Sequence, residues 1–133
     1  MILLDTNALI WLDEGHKRAR PLVSQRRIYI SPVSLLELQF LREAGRIQLD
    51  VNDVAGLADD DRWLLDDPPA AAWFETATYL GWTRDPFDRL LAAHAQFRGW
   101  KLATGDRALA SSARLKKPVT ATHLGAPTST PRR

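Results

Sequence analysis

Four carboxylates occupy positions where an acid is costly or well placed to act. Asp5 directly follows the apolar run Ile2-Leu3-Leu4. Glu37 falls on the apolar stripe of a helical segment, with Val33 four residues before it and Leu41 four after. Asp88 shares a helix face with Leu91, Ala92 and Ala95, small apolar residues expected to point inward, whereas Arg89, Ala93 and Gln96 fall on a more polar face. Asp106 follows Lys101-Leu102-Ala103-Thr104 across Gly105. Burying an unpaired carboxylate costs several kcal/mol, and acids gathered in one pocket repel unless cations neutralise them. Mg2+ and Mn2+ are hard ions that take carboxylate oxygens together with water and phosphate oxygens. The chemistry such a group would support is metal-assisted hydrolysis of a phosphate ester.

Each acid also has a structural reading. Asp5, Asp85 and Asp106 all suit a helix N-cap. Asp88, at the third helical position, favours the helix dipole. Glu37 could be half of a salt bridge to a buried Arg. Thr6 and Thr104, close to Asp5 and Asp106, offer hydroxyls that orient carboxylates or cap the backbone.

The elements that must position these residues alternate between strand and helix. Ile2-Leu3-Leu4-Asp5 reads as a short strand buried on both faces. Thr6 or Asn7 would cap a helix from Ala8 to about Asp13. Pro21 to Arg27 reads as a short helix and Ile28-Tyr29-Ile30 as a second strand. Ser31 as N-cap and Pro32 at the first helical position open a helix to about Ala44, with Val33, Leu36, Phe40, Leu41 and Ala44 on its apolar stripe. Ile47-Gln48-Leu49 reads as a short extended piece, and Asp50 or Asn52 would cap a helix through Leu57. Asp59-Asp60-Asp61 reads as a solvated acidic run. Pro68-Pro69 breaks the chain before a helix over Ala70 to Leu80. Asp85-Pro86 opens another, ending near Arg98-Gly99. Lys101 to Thr104 is a strand, Asp106 to Ala113 a short helix, and Val119 to Thr122 a last strand. The pattern predicts an α/β fold, with a central parallel sheet flanked by helices on both faces. In such sheets the site lies at the carboxyl ends of the strands.

Composition agrees with one globular domain. The chain has 133 residues, 45% hydrophobic and 26% charged, ordinary proportions for a single folded unit. It has no Cys, which excludes a disulfide scaffold, a thiol nucleophile and a thiolate zinc site. Three His leave little for a zinc cluster of imidazoles. No apolar run approaches the roughly 20 residues of a membrane span. Asp5 interrupts the N-terminal apolar run, so no signal peptide is expected and the chain is read as cytoplasmic. Residues 125–133 have the composition of a disordered tail.

Net charge is +2, yet 14 Arg stand against 4 Lys and 12 Asp against 4 Glu. Arg matches phosphate with a planar fork of donors. Arg18, Arg20, Arg26, Arg27, Arg84 and Arg89 are therefore candidates for phosphate contacts. His16 and His94 offer bases that metal-assisted hydrolysis does not need. The five Trp read as core and partner-surface residues.

Four motifs in order carry a resemblance. Leu4-Asp5-Thr6-Asn7-Ala8-Leu9-Ile10-Trp11 resembles the opening of a PIN domain, specifically of VapC-type toxin ribonucleases from bacterial toxin–antitoxin pairs. Ser34-Leu35-Leu36-Glu37-Leu38 resembles the helix that carries the family's acidic Glu. Asp85-Pro86-Phe87-Asp88-Arg89-Leu90-Leu91-Ala92-Ala93-His94-Ala95 resembles the third acidic motif, and Leu102-Ala103-Thr104-Gly105-Asp106 the fourth. The resemblance covers residues 1–124. It implies a PIN-like three-layer fold and a Mg2+- or Mn2+-dependent endoribonuclease. Asp5, Glu37, Asp88 and Asp106 would be the catalytic, metal-holding acids, Asp85 a further candidate ligand, and Thr6 and Thr104 supporting hydroxyls. It also implies an RNA substrate, products with a 5′-phosphate and a 3′-hydroxyl, a cognate antitoxin that blocks the acidic pocket, and a homodimer. A haloacid-dehalogenase-type phosphatase fits poorly, because Asn7 stands where that chemistry wants a second Asp. A catalytically inactive PIN-like module that binds RNA or a partner is the alternative.

Overall fold

Five strands are needed to explain where the acids stand: β1 (Ile2–Leu4), β2 (Ile28–Ile30), β3 (Leu64–Leu65), β4 (Lys101–Thr104) and β5 (Thr120–His123). The computed structural model describes residues 1–49 and 52–105, and the backbone of residues 120–123. The strands form one sheet in the order β3-β2-β1-β4-β5, with every pairing parallel. β1 lies at the centre, with Ile2 opposite Ile28 on one side and Lys101 on the other. A central parallel strand is covered on both faces and so carries no polar alternation. Ile2 and Leu4 enter one apolar cluster and Leu3 the other.

Helices cover both faces, which gives the three layers expected. On one face lie α1 (Thr6–Glu14), the inner side of α2 (Pro32–Glu43) and two 3-10 segments, Lys17–Leu22 and Val54–Asp59. On the other, α3 (Ala70–Thr78) and α4 (Pro86–Arg98) pack against Leu3 and Leu102. Leu3, Leu4, Leu91 and Leu102 are fully buried, and each such side chain contributes roughly 2 kcal/mol of transfer free energy. Among the described residues, no helix is long and apolar enough to cross a membrane.

Capping chemistry sets the helix starts. Ser31 Oγ accepts from Val33 N at 3.3 Å ahead of Pro32. Asp85 Oδ1 accepts from the amides of Phe87 and Asp88, at 2.9 and 3.1 Å, ahead of Pro86. Gly99, at φ 72°, ends α4 in the left-handed conformation that glycine adopts without strain.

Several local expectations need correction. The cap of α1 is Asp5 rather than Thr6 or Asn7, so the helix starts two residues before Ala8. The helical turn expected from Pro21 is the 3-10 segment Lys17–Leu22, which His16 caps. Residues 47–49 form no strand, and the helix expected from Asp50 or Asn52 is the 3-10 segment capped by Asp53. β3 was not anticipated, and α3 ends at Thr78 rather than Leu80. The inward face of α2 is Val33, Ser34, Glu37, Leu38 and Leu41. Leu36 and Phe40, assigned to the core stripe, are 53% and 52% exposed. Leu36 stands about 100° of helical turn from Glu37 and Phe40 about 60° on the same side, and the Phe40 ring meets the edge of Phe87. Ala93, expected on the polar face of α4, is buried. β5 begins at Thr120. The helix expected over Asp106 to Ala113, Val119 at the start of the last strand, the boundary at 124 and the tail over 125–133 lie outside the described residues.

Candidate active site

Parallel strands bring their carboxyl ends to one edge of the sheet. There β1 runs into Asp5, β2 into Ser31, β3 into Asp66 and β4 ends at Thr104. Asp5 is fully buried and uses both oxygens. Oδ1 accepts from Ala8 N at 2.8 Å and Oδ2 accepts from Thr104 Oγ1 at 2.5 Å. The capping reading and the site reading of Asp5 are therefore compatible, because the cap uses one oxygen and turns the other toward β4.

Glu37 is 1% exposed, and its Oε1 accepts from the Thr6 hydroxyl. Ser34 Oγ lies 3.1 Å from Thr6 Oγ1. A hydroxyl has one proton, so with Thr6 donating to Glu37, Ser34 donates to Thr6. Thr6 thus links the start of α1 to the inner face of α2. Ser34 belongs to the Ser34-Leu35-Leu36-Glu37-Leu38 motif, whose only acid is Glu37. Its signal is the spacing of three from Glu37, which puts both side chains on one helix face.

The third motif separates its two acids. Asp85 is partly exposed and caps α4 with Oδ1 on two amides. Asp88 is buried in the first turn, where the dipole favours a negative charge. Asp106 lies outside the described residues, but the residue before it is informative. The Trp11 indole rests on Gly105, where a Cβ would come within 2.2 Å of Trp11 Cη2. Only glycine fits under that ring.

The donor chemistry at Asp5, Glu37 and Asp88 is hard oxygen, which suits Mg2+ or Mn2+. Among the described residues, no three Asp, Glu or His form a group able to hold a metal ion. The fourth acid of the expected set falls outside that description.

A second buried polar group stands beside the first. His94 is fully buried, with Nδ1 2.9 Å from Ser31 Oγ and Nε2 2.7 Å from Asp66 Oδ2. Arg98 donates to both Asp66 oxygens, at 2.9 and 3.2 Å. Burial lowers the His94 pKa, and Asp66 only partly opposes it. Burial also pushes Asp66 upward, but the hydrogen bonds from Arg98 and His94 outweigh it and hold the carboxyl below its usual range. Neutral His94 with its proton on Nε2 satisfies every partner. Nε2 donates to Asp66, while Nδ1 accepts from Ser31, whose oxygen still accepts from Val33 N. His94 is thus a tie between α2, α4 and the end of β3. His16 caps its 3-10 segment, with Nδ1 accepting from Arg18 N at 3.0 Å. Both imidazoles have structural work. Nothing in the sequence marked Asp66 as a partner of His94, since 28 residues separate them.

Residues 2–115 match the PIN domain. Over 129 residues the chain is 34% identical to ribonuclease VapC22 of Mycobacterium tuberculosis, spanning 90% of this chain and 96% of that protein. The fold is similar to DNA-bound VapBC from Salmonella typhimurium, with a TM-score of 0.64, 19% identity, and coverage of 93% of this chain and 98% of that one. It is also similar to VapBC2 from Rickettsia felis bound to a promoter DNA fragment, with a TM-score of 0.64, 20% identity, and coverage of 92% and 98%. Such identities speak for the fold alone. The chain belongs to the PIN-domain family. Its similarity to VapC22 over nearly its whole length places it with the VapC-type proteins of that family.

Proposed function

We propose that the protein is a Mg2+- or Mn2+-dependent endoribonuclease and the toxin half of a toxin–antitoxin pair. One observation carries the reading. Inside a PIN domain matched over residues 2–115, the two acids Asp5 and Glu37 are buried and each is oriented by a threonine hydroxyl. Asp5, Glu37, Asp88 and Asp106 would hold the metal. A metal held by these acids would supply the Lewis acidity that activates a water and offsets charge on the phosphate.

The protein's own groups prepare that site. Thr104 holds Asp5 Oδ2 and the Ala8 amide holds Oδ1, so the carboxylate cannot rotate away. Thr6, backed by Ser34, fixes Glu37 in the same way. Such outer partners orient ligands and set their basicity. Asp85 stays a cap, which keeps Asp88 at the helix start. Cleavage leaves a 5′-phosphate and a 3′-hydroxyl on RNA. The solved structures of similar fold include a toxin–antitoxin complex from Klebsiella pneumoniae, in keeping with a cognate antitoxin; in this reading that antitoxin blocks the acidic pocket. A homodimer acting in the cytoplasm completes the proposal.

An inactive RNA- or partner-binding module is the second reading. Purified protein, freed of antitoxin and incubated with a mixed RNA pool, separates the two. The nuclease reading expects cleavage with Mg2+ or Mn2+, none in chelator, and 5′-phosphate ends. No cleavage with either metal would favour the binding module.

A further inference from the structure

The basic segment after α1 is built against the strand end that carries Thr104. The Trp11 ring covers Gly105. His16 stacks with Trp11, their ring centroids 5.7 Å apart at an interplanar angle of 28°. The Arg18 guanidinium carbon lies 5.0 Å from the Trp11 ring centroid. The 3-10 segment is anchored by buried Ala19 and Leu22, and His16 caps it through the Arg18 amide. Lys17 and Arg20, in the same segment, are exposed.

Several other cations are already committed. Arg62 pairs with Asp13 and Asp60, Arg98 with Asp66, and Arg89 donates to the Thr83 carbonyl. Among the described residues, Lys17, Arg18 and Arg20 enter no ion pair. A guanidinium over an indole ring keeps N–H donors that a phosphate can take. Stacked flat rings beside cations are what single-stranded nucleic acid binds, through base stacking and phosphate contacts together. An acidic peptide would use the charge but not the rings.

We infer that Trp11, His16 and Arg18, flanked by Lys17 and Arg20, form a contact surface for single-stranded RNA beside Asp5 and Thr104. This rests on the ribonuclease reading and adds the path by which the substrate reaches the acids. Arg18 takes a phosphate, and the Trp11–His16 stack presents a face to a neighbouring base.

The test uses the full chain and a labelled, short, mixed-sequence RNA in chelator, so that binding is read without cleavage. Anisotropy is followed across a salt series for the parent, Arg18→Gln, Arg18→Lys and the distant surface control Arg46→Gln. Arg18→Gln should weaken binding roughly tenfold and flatten the slope of log affinity against log salt by about 0.7. Arg18→Lys should recover the slope but not the whole affinity, because Lys lacks the planar fork. With Mg2+ present, the loss in Arg18→Gln should fall on KM. Parent-like affinity and slope in Arg18→Gln, or an equal loss in Arg46→Gln, would overturn the inference. So would an Arg18→Gln variant that binds RNA normally but loses its cognate antitoxin, since the surface would then belong to that partner. If the parent binds no RNA in chelator yet cleaves it with Mg2+, the inference falls and the proposed function stands. If the Arg18 effect appears but no metal supports cleavage, the contact surface stands and the nuclease reading falls.

Discussion

Two buried polar groups share the carboxyl edge of the sheet, and they treat their carboxylates differently. Around Asp66 the partners are a guanidinium and an imidazole, supplied by α4. Around Asp5 and Glu37 the donors described are neutral, an amide and two hydroxyls. A cationic partner both orients a carboxylate and offsets its charge. A neutral hydroxyl orients it and adds no charge of its own. Folding alone completes the Asp66 group, which ties β3, α2 and α4 together. The proposed function turns Asp5 and Glu37, oriented in this way, toward a divalent cation. Stability should therefore depend on the first group, and activity on the second.

The largest expected effect breaks the second group. Asp5→Asn and Asp88→Asn should each remove nearly all RNA cleavage with Mg2+. Asp85→Asn should keep a substantial fraction, because Asn caps a helix about as well as Asp. A dead Asp85 variant beside an active Asp88 variant would reverse the two roles.

Breaking the first group should move stability instead. His94→Ala leaves a cavity and strips Ser31 of its acceptor, at a cost of about 3 kcal/mol. Urea unfolding should show the same loss in chelator and in Mg2+. A loss that appears only with metal would mean that His94 belongs to the acidic site.

A smaller effect sharpens the contrast at the hydroxyls. Thr104→Val keeps the shape of the side chain and removes the donor to Asp5. Metal affinity, read by Mn2+ titration, should fall 10- to 100-fold, the usual range for an outer-shell partner. An unchanged Mn2+ affinity would reduce Thr104 to a packing residue.

Acidification gives the smallest effect. Burial lowers the folded-state pKa of His94 below its ordinary 6.5, so between those values the unfolded chain binds a proton that the folded chain does not. Stability from this group is complete above about 6.5 and declines as pH falls through that window. The slope is at most about 1.4 kcal/mol per pH unit. Asp66, held below its ordinary 3.8, adds a further loss only as pH falls below that value. Urea midpoints across pH should show the first decline in the parent and not in His94→Gln. A parent whose midpoint stays flat from pH 7 to pH 5 would contradict the assigned neutral tautomer.

The same contrast explains what the sequence allowed to be read. α4 and β4 match the expected bounds because Asp85-Pro86 and Gly99 punctuate the chain with unambiguous backbone chemistry. Asp5 and Glu37 stood out because an acid inside an apolar pattern is conspicuous, and both are buried. β3 escaped notice because two leucines offer no period to detect. Leu36 and Phe40 were misassigned because hydrophobic spacing does not distinguish a core stripe from an exposed apolar face. The Asp66–His94–Ser31 tie joins three distant segments, and only the packing of α4 on the sheet brings them together.

Glu37→Gln tests the central claim most directly. The amide is nearly isosteric, keeps an acceptor for Thr6 and removes one negative charge. Thermal melts in chelator should place the variant level with the parent or slightly above it, while the same preparation fails to cleave RNA at any Mg2+ concentration. If Glu37 instead served as half of a buried ion pair, the variant would lose roughly 3–5 kcal/mol in chelator and in Mg2+ alike. A destabilised variant of that kind, or a stable one that still cleaves RNA at the parental rate, would contradict the account.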